Sequence, residues 1–196
     1  MRIPSEYSFA FTTCGLRKNE CMALVELYVQ CRDWNLVREH VIGQNLLQQR
    51  TASSSKKLYR ELASRLRYLS TYELSYLLTC PESEKPILLW VSICRRYRFI
   101  REFAIEVLRE SCLTLKTQLS LTDFDIFFGS KRCLSEGMGD MSMTTQRKVR
   151  QVIFSMLRDS SLLDRHNNIN VIIPSTKMLE LFHARDLELI SLSYAD

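Results

Sequence analysis

The residues from Ser83 to Cys94 constrain this chain most. Ser83 and Glu84 open a helix, and Pro86 sits in its first turn, where its missing N–H has no partner to lose. Ile87, Leu88, Leu89, Trp90, Val91 and Ile93 follow, so the helix is apolar nearly all round. Such a helix offers no face to water and must be surrounded by other elements. Its unbroken apolar run, Ile87 to Val91, is far shorter than the ~20 residues that cross a bilayer. The segment therefore predicts the central helix of a bundle, and no membrane span.

The flanking segments supply the surrounding helices. Cys21, Leu24, Val25, Tyr28 and Cys31 fall at helical spacing over residues 18–31. Asp33 caps a second helix through about Val41, which Gly43 stops. TASSS at 51–55 starts a third, running to about Tyr68 and burying Leu58, Leu62, Leu66 and Leu69. Ser70 or Thr71 caps a fourth, with Glu73 in its first turn, and it ends near Cys80 and Pro81. After the central helix another is expected over about 98–112, with Phe99, Ile100, Phe103, Ala104, Val107 and Leu108 inward. A chain of 196 residues makes one domain or two small ones sharing an interface, and buries roughly 70% of its unfolded surface.

After Leu113 the texture changes. TLKTQLSL is short, polar and tolerant of extended backbone. Thr122 is expected to cap a helix carrying Phe124, Phe127 and Phe128, and SEGMGDMSM reads as a loop. Another helix follows from Thr144; HNN is then a turn, INVIIP a short strand stopped by Pro174, and 175–185 a last helix before a loose tail.

Several chemistries lack residues to carry them. The seven cysteines are scattered, without C-x-x-C or zinc spacing, and read as free thiols of a reducing cytoplasm. His40, His166 and His183 share no ligand spacing, and no local sequence pairs one with a cysteine nucleophile. Of five glycines only Gly137 and Gly139 lie close together, so no phosphate-cradling loop forms. Asp123 and Asp125 are near neighbours, but Asp123 suits a helix first turn. The N-terminus has no continuous apolar stretch or small-residue cleavage site, so no signal peptide is expected. No catalytic residue, metal site or cofactor is expected.

The net charge of +5 is unevenly placed: residues 45–110 hold the entire excess, and the segments on either side are balanced. Local placement is more informative. On a helical wheel Val149, Val152, Ile153, Met156 and Leu157 share one arc. Thr144, Arg147, Gln151 and Arg158 lie opposite, flanked by Lys148, and residues 144–158 contain no acidic side chain. A helix, two leucines, a turn and a strand form the closing layout of a winged helix-turn-helix, whose last helix enters the major groove. Thr144, Arg147, Lys148 and Gln151 are therefore candidate DNA contacts. The plainer alternative is a solvated amphipathic helix followed by a hairpin.

A second basic face lies on the helix after TASSS. Lys56, Lys57, Arg60 and Arg67 cluster opposite the leucines, making them further candidate contacts, or simply a solvated face. Ser53, Ser54 and Ser55 lie at its N-terminus, where free N–H groups suit a phosphate. A third cluster, Arg95, Arg96, Arg98 and Arg101, interleaves with Tyr97 and Phe99; the Arg98–Glu102 spacing marks it as partly internal ion pairing. The expected architecture is mainly α: a helical bundle over 1–113, then a small winged-helix-like unit over 114–196.

Four segments together resemble a known family: YSFAFTTCGL, WNLVREHVIGQNLLQQRTASSSKKLYRELASRL, LLWVSICRRYRFIREFAIEVLRE and TTQRKVRQVIFSMLRDSSLL. They are similar to BrxA, the small component of bacteriophage-exclusion (BREX) defence systems, over most of residues 7–165. The resemblance implies a helical protein whose N-terminal part is similar to the antitermination factor NusB. It also implies double-stranded DNA as a partner, other BREX proteins nearby in the bacterial cytoplasm, and no enzymatic activity. Two alternatives remain: a scaffold that only docks other BREX subunits, and an RNA-binding module like NusB. The contacts named above rest on the wheel positions, not on the family.

Overall fold

Every residue from Pro86 to Cys94 on α5 (Lys85–Arg96) is buried, as its all-round apolar character predicts. The computed structural model describes residues 6–134, 138 and 140–190. Gly137 and Gly139, part of the expected 135–143 loop, the first five residues and the expected tail from 191 lie outside the described residues. Around α5 pack α1 (Lys18–Cys31), α3 (Ala52–Leu66), α4 (Thr71–Thr79), α6 (Arg98–Phe103) and α9 (Met143–Asp159). A 3-10 turn at Ala10–Thr13 and α2 (Trp34–Gly43) pack on α3. The protein is mainly α-helical, in line with the expected class.

Short-range capping sets the helix starts. Asp33 accepts from the Asn35 N–H at 2.7 Å, and Thr51 from that of Ser54 at 3.1 Å. Ser70 and Glu73 form a reciprocal capping box that opens α4. α8 (Leu121–Leu134) starts one residue before the expected Thr122 cap. Ser120 Oγ accepts from the Asp123 N–H, and the Asp123 carboxylate accepts from the Ser120 N–H, at 3.1 and 2.7 Å. α3 stops at Leu66, two residues short of expectation, in a turn at Arg67.

The expected helix over 98–112 is present with a wider middle. α6 passes into a π-helical stretch at Ala104–Arg109 and then α7 (Glu110–Leu113). Phe99 lies 5.2 and 5.9 Å, centroid to centroid, from Phe127 and Phe128, and Phe103 lies 5.3 Å from Phe127. Each such pair adds roughly 0.5–1.5 kcal/mol beyond the area it buries. One continuous core therefore joins the bundle to α8 and α9.

The expected strand at INVIIP is reduced to isolated bridges among the described residues. Leu163 pairs with Ile169, and Gln118 with Asn168, both antiparallel. Asn167 takes a left-handed conformation that turns the hairpin, and the Asp164 carboxylate accepts from the backbone of His166 and Asn168. Leu119 N–H donates to Asn167 O, and Ile169 N–H to Thr117 O, each at 2.9 Å. Beyond Ile169, Val171 and Ile173 are exposed. The expected helix at 175–185 is split into α10 (Thr176–Leu181) and α11 (Ala184–Leu187), because Phe182 turns extended and buries its ring.

Two arginines are internal. Arg65, 1% exposed, donates from Nε to Glu61 at 3.0 Å, from Nη1 to Gly15 O at 2.9 Å and from Nη2 to Cys14 Sγ at 2.6 Å. Arg95 bridges Glu73 on α4 and Asp186 on α11. The Arg98–Glu102 pair foreseen by spacing forms at 2.7 Å.

Candidate nucleic-acid interface

Ser142 caps α9, accepting from the Thr145 N–H at 3.2 Å. Val149, Val152, Ile153, Met156 and Leu157 are all buried, so the wheel orients the helix correctly. α9 rests on α5 and on the Ala10–Thr13 turn. Thr144, Arg147, Lys148 and Gln151 are exposed together on its N-terminal half. Arg147 and Lys148 form no ion pair among the described residues.

The remaining cations of α9 have partners. Arg150 Nη1 donates to Asp125 on α8 at 2.5 Å, and Gln146 joins it at 3.2 Å. Arg158, expected to face outward, donates to Asn167 Oδ1 of the hairpin at 2.9 Å. Phe154 falls near Arg147 on the wheel, yet it is 2% exposed. The open polar face is therefore confined to the first half of α9.

The hairpin meets α9 at the helix's other end, through Arg158 and Asn167. Arg165 and His166 are exposed at the hairpin's tip, with Arg165 Nε donating to His166 Nε2 at 3.0 Å. Slight burial pushes the Asp164 carboxyl up, but hydrogen bonds from Asn168 and His166 outweigh it and hold it below the usual carboxylate range. Arg165 has no helical period to mark it in the sequence, since the HNN that follows it signals only a turn.

The second basic face is divided. Lys56, Lys57 and Arg60 are exposed on α3. They too form no ion pair among the described residues. Arg67 is exposed but lies past the helix end, its guanidinium 5.7 Å over the Trp34 ring. The serine N-terminus is less open than expected: Thr51 caps it, and Ser55 is buried with an unpartnered Oγ. α3 and α9 both pack on α5 and on the Ala10–Thr13 turn, so the two basic helices flank the same core elements.

The third cluster is largely internal. Arg95 is held by Glu73 and Asp186, Arg98 by Glu102, and Arg96 stacks 5.0 Å from the Tyr97 ring centroid. Arg65 was missed by sequence reasoning although a signal existed: it falls inside the leucine arc of α3, where a cation needs a buried partner. Among the described residues no group of three or more His, Cys, Asp or Glu side chains is placed to hold a metal. No helix among them is long and apolar enough to cross a membrane.

These features define a helical protein with a basic helix and a short hairpin packed onto one side of a bundle. The family model for BrxA matches residues 5–186, and the chain belongs to the BrxA family. It is 32% identical over 128 residues to the BREX protein BrxA of Bacillus cereus (strain H3081.97). That match covers 65% of this chain and spans 64% of the relative's length. The crystal structure of an uncharacterized protein from Magnetospirillum magneticum has the same fold, with a TM-score of 0.81 over 95% of this chain and 99% of that one. At 12% identity, that likeness is one of fold alone.

Proposed function

We propose that this chain is a non-enzymatic, duplex-DNA-binding accessory component of a BREX phage-defence system in the bacterial cytoplasm, working beside other BREX proteins. The observation that carries the DNA reading is the N-terminal half of α9. Thr144, Arg147, Lys148 and Gln151 are exposed there, and its two outward cations form no ion pair among the described residues. Side chains of these types reach phosphates and base edges.

The chain order supports a winged-helix reading of residues 114–196, after a helical bundle over 1–113. An extended segment at 117–119 is followed by α8, α9 and the hairpin, and the segment pairs with the hairpin's return arm. In a winged helix the second helix of the pair occupies the major groove, and here that helix is α9. Lys56, Lys57 and Arg60 extend the phosphate-facing surface.

The test is a titration of duplex DNA at two salt concentrations. At a log–log slope of about 0.9 per phosphate, a fourfold rise in salt weakens binding about 3.5-fold for each phosphate neutralised. Arg147→Glu is expected to lose affinity and lower that slope, because the new carboxylate faces phosphates. Lys148→Ala weakens binding evenly across sequences, whereas a sequence-selective loss at Gln151 marks base readout. If Arg147→Glu binds duplex like the parent protein, α9 is not the contact helix. Absence of binding at low salt favours the scaffold role, and preference for RNA of matched sequence favours the RNA-binding reading.

A further inference from the structure

A groove of about 900 Å³ opens where the α3–α4 junction meets the C-terminal helices. The junction contributes Arg67, Tyr68 and Tyr72, α6 contributes Arg101, and the C-terminal segment contributes Glu180, His183 and Arg185. Its volume suits a ligand of nucleotide size.

The floor is a fixed network. All five N–H bonds of Arg95 are used, on Glu73, Asp186 and the Tyr68 carbonyl, at 2.6–3.1 Å. Arg95 is therefore occupied and holds two carboxylates in place beneath the groove. The rim differs. Arg101 is half-buried, Arg185 is exposed, and neither forms an ion pair among the described residues. Arg67 is turned over Trp34, and Glu180 is the carboxylate on the rim. Tyr72 stands at the edge, 67% exposed, with no ring or cation partner among the described residues.

We propose that this groove binds a nucleoside phosphate unit, with its base stacked on Tyr72 and its phosphate between Arg101 and Arg185. An aromatic ring accepts the face of any base, and a guanidinium fork matches phosphate oxygens bidentately. The same chemistry comes from two sources, a free nucleotide or one unit of a single strand. The inference stands apart from the α9 reading, since none of Thr144, Arg147, Lys148 and Gln151 lines the groove.

The experiment is calorimetric titration of the full chain with adenosine triphosphate and, separately, with a short single-stranded oligothymidylate. The parent is expected to bind at least one probe. Tyr72→Ala and Arg185→Ala are each expected to weaken that binding about tenfold or more, while Tyr72→Phe keeps it. Both altered side chains are exposed, so the thermal midpoint and duplex-DNA affinity should stay at parental values. A free nucleotide as the source shows as triphosphate binding that the oligonucleotide does not exceed; a strand as the source shows as the reverse order. Failure of both probes to bind at about 1 mM overturns the proposal. Binding that Tyr72→Ala and Arg185→Ala leave untouched overturns it equally. Arg147→Glu, which tests the α9 reading, should leave both titrations unchanged.

Discussion

Asp186 on α11 accepts two hydrogen bonds from Arg95 on α5, from Nε at 3.1 Å and from Nη2 at 2.8 Å, across 91 positions of sequence. Glu73 takes the other edge of the same guanidinium at 2.6 and 3.0 Å. All three side chains are nearly buried, so the central helix, α4 and the C-terminal segment are tied at one point. The indole of Trp90, five residues earlier on α5, adds a second tie, donating to Leu189 O at 2.8 Å.

Removing Arg95 leaves two buried carboxylates with no counter-charge. Arg95→Ala is expected to lower the unfolding free energy by about 3–5 kcal/mol. Urea unfolding followed by circular dichroism measures this. A loss below about 1 kcal/mol, the scale of an exposed pair, would show that the network does not form in solution.

Glu102 makes stability depend on acid. The Tyr7 hydroxyl at 2.5 Å, Arg98 Nε at 2.7 Å and Lys131 Nζ at 2.8 Å converge on its carboxylate. Burial pushes the carboxyl up, but the bonds from Lys131, Tyr7 and Arg98 outweigh it and hold it below its ordinary 4.5. The unfolded chain therefore binds this proton more tightly than the folded one. Its stabilisation is complete well above pH 4.5 and is lost as pH falls through the lower folded value. Glu102→Gln should be less stable at neutral pH and show a flatter loss in acid. An acid limb as steep as the parent's would assign the pH dependence elsewhere.

Lys56, Lys57 and Arg60 are exposed and free of ion pairs among the described residues, so replacing all three with alanine should leave the urea midpoint nearly unchanged. If each meets one phosphate, the salt slope of duplex binding falls by about 2.7. A collapse in stability would mean that these side chains are structural.

The thiols should react in order of burial. Cys31 and Cys133 are exposed, Cys112 is half-buried, and Cys14, Cys21, Cys80 and Cys94 are buried. Burial pushes the Cys21 thiol up to about 12 and the Cys80 thiol up to about 11, so neither supplies thiolate near neutral pH. An aromatic disulfide reagent at pH 8 should label Cys31 and Cys133 quickly and the four buried thiols only in denaturant. Rapid labelling of Cys21 or Cys94 in the native protein would contradict this packing.

Much of the helical skeleton is legible locally. Asp33, Thr51, Ser70 and Ser142 each cap a helix by a bond spanning two or three residues, and such signals are carried whole by a short stretch of sequence. The Thr122 cap failed because Ser120 and Asp123 form the better reciprocal pair two residues earlier. The INVIIP strand failed because extended propensity makes a ladder only where a neighbouring strand covers it. Thr144, Arg147, Lys148 and Gln151 could be oriented from sequence because the 3.6-residue repeat of α9 decides which side packs inward.

The all-round burial of α5, the inward arc of α9 and most helix starts can be read from local sequence, since each follows from side chains within a few turns of one another. Long-range packing, in contrast, settles which cations find a partner among the described residues. Arg150 and Arg158 are bound by Asp125 and Asn167, Arg95 is enclosed by Glu73 and Asp186, and Arg147 and Lys148 stay open on the same helix as the first two. It alone gathered Tyr72, Arg101 and Arg185 around one groove. A charge is neutralised, or left free, by whatever the folded chain brings within about 3 Å of it. No helical period or charge count records which distant segment that will be.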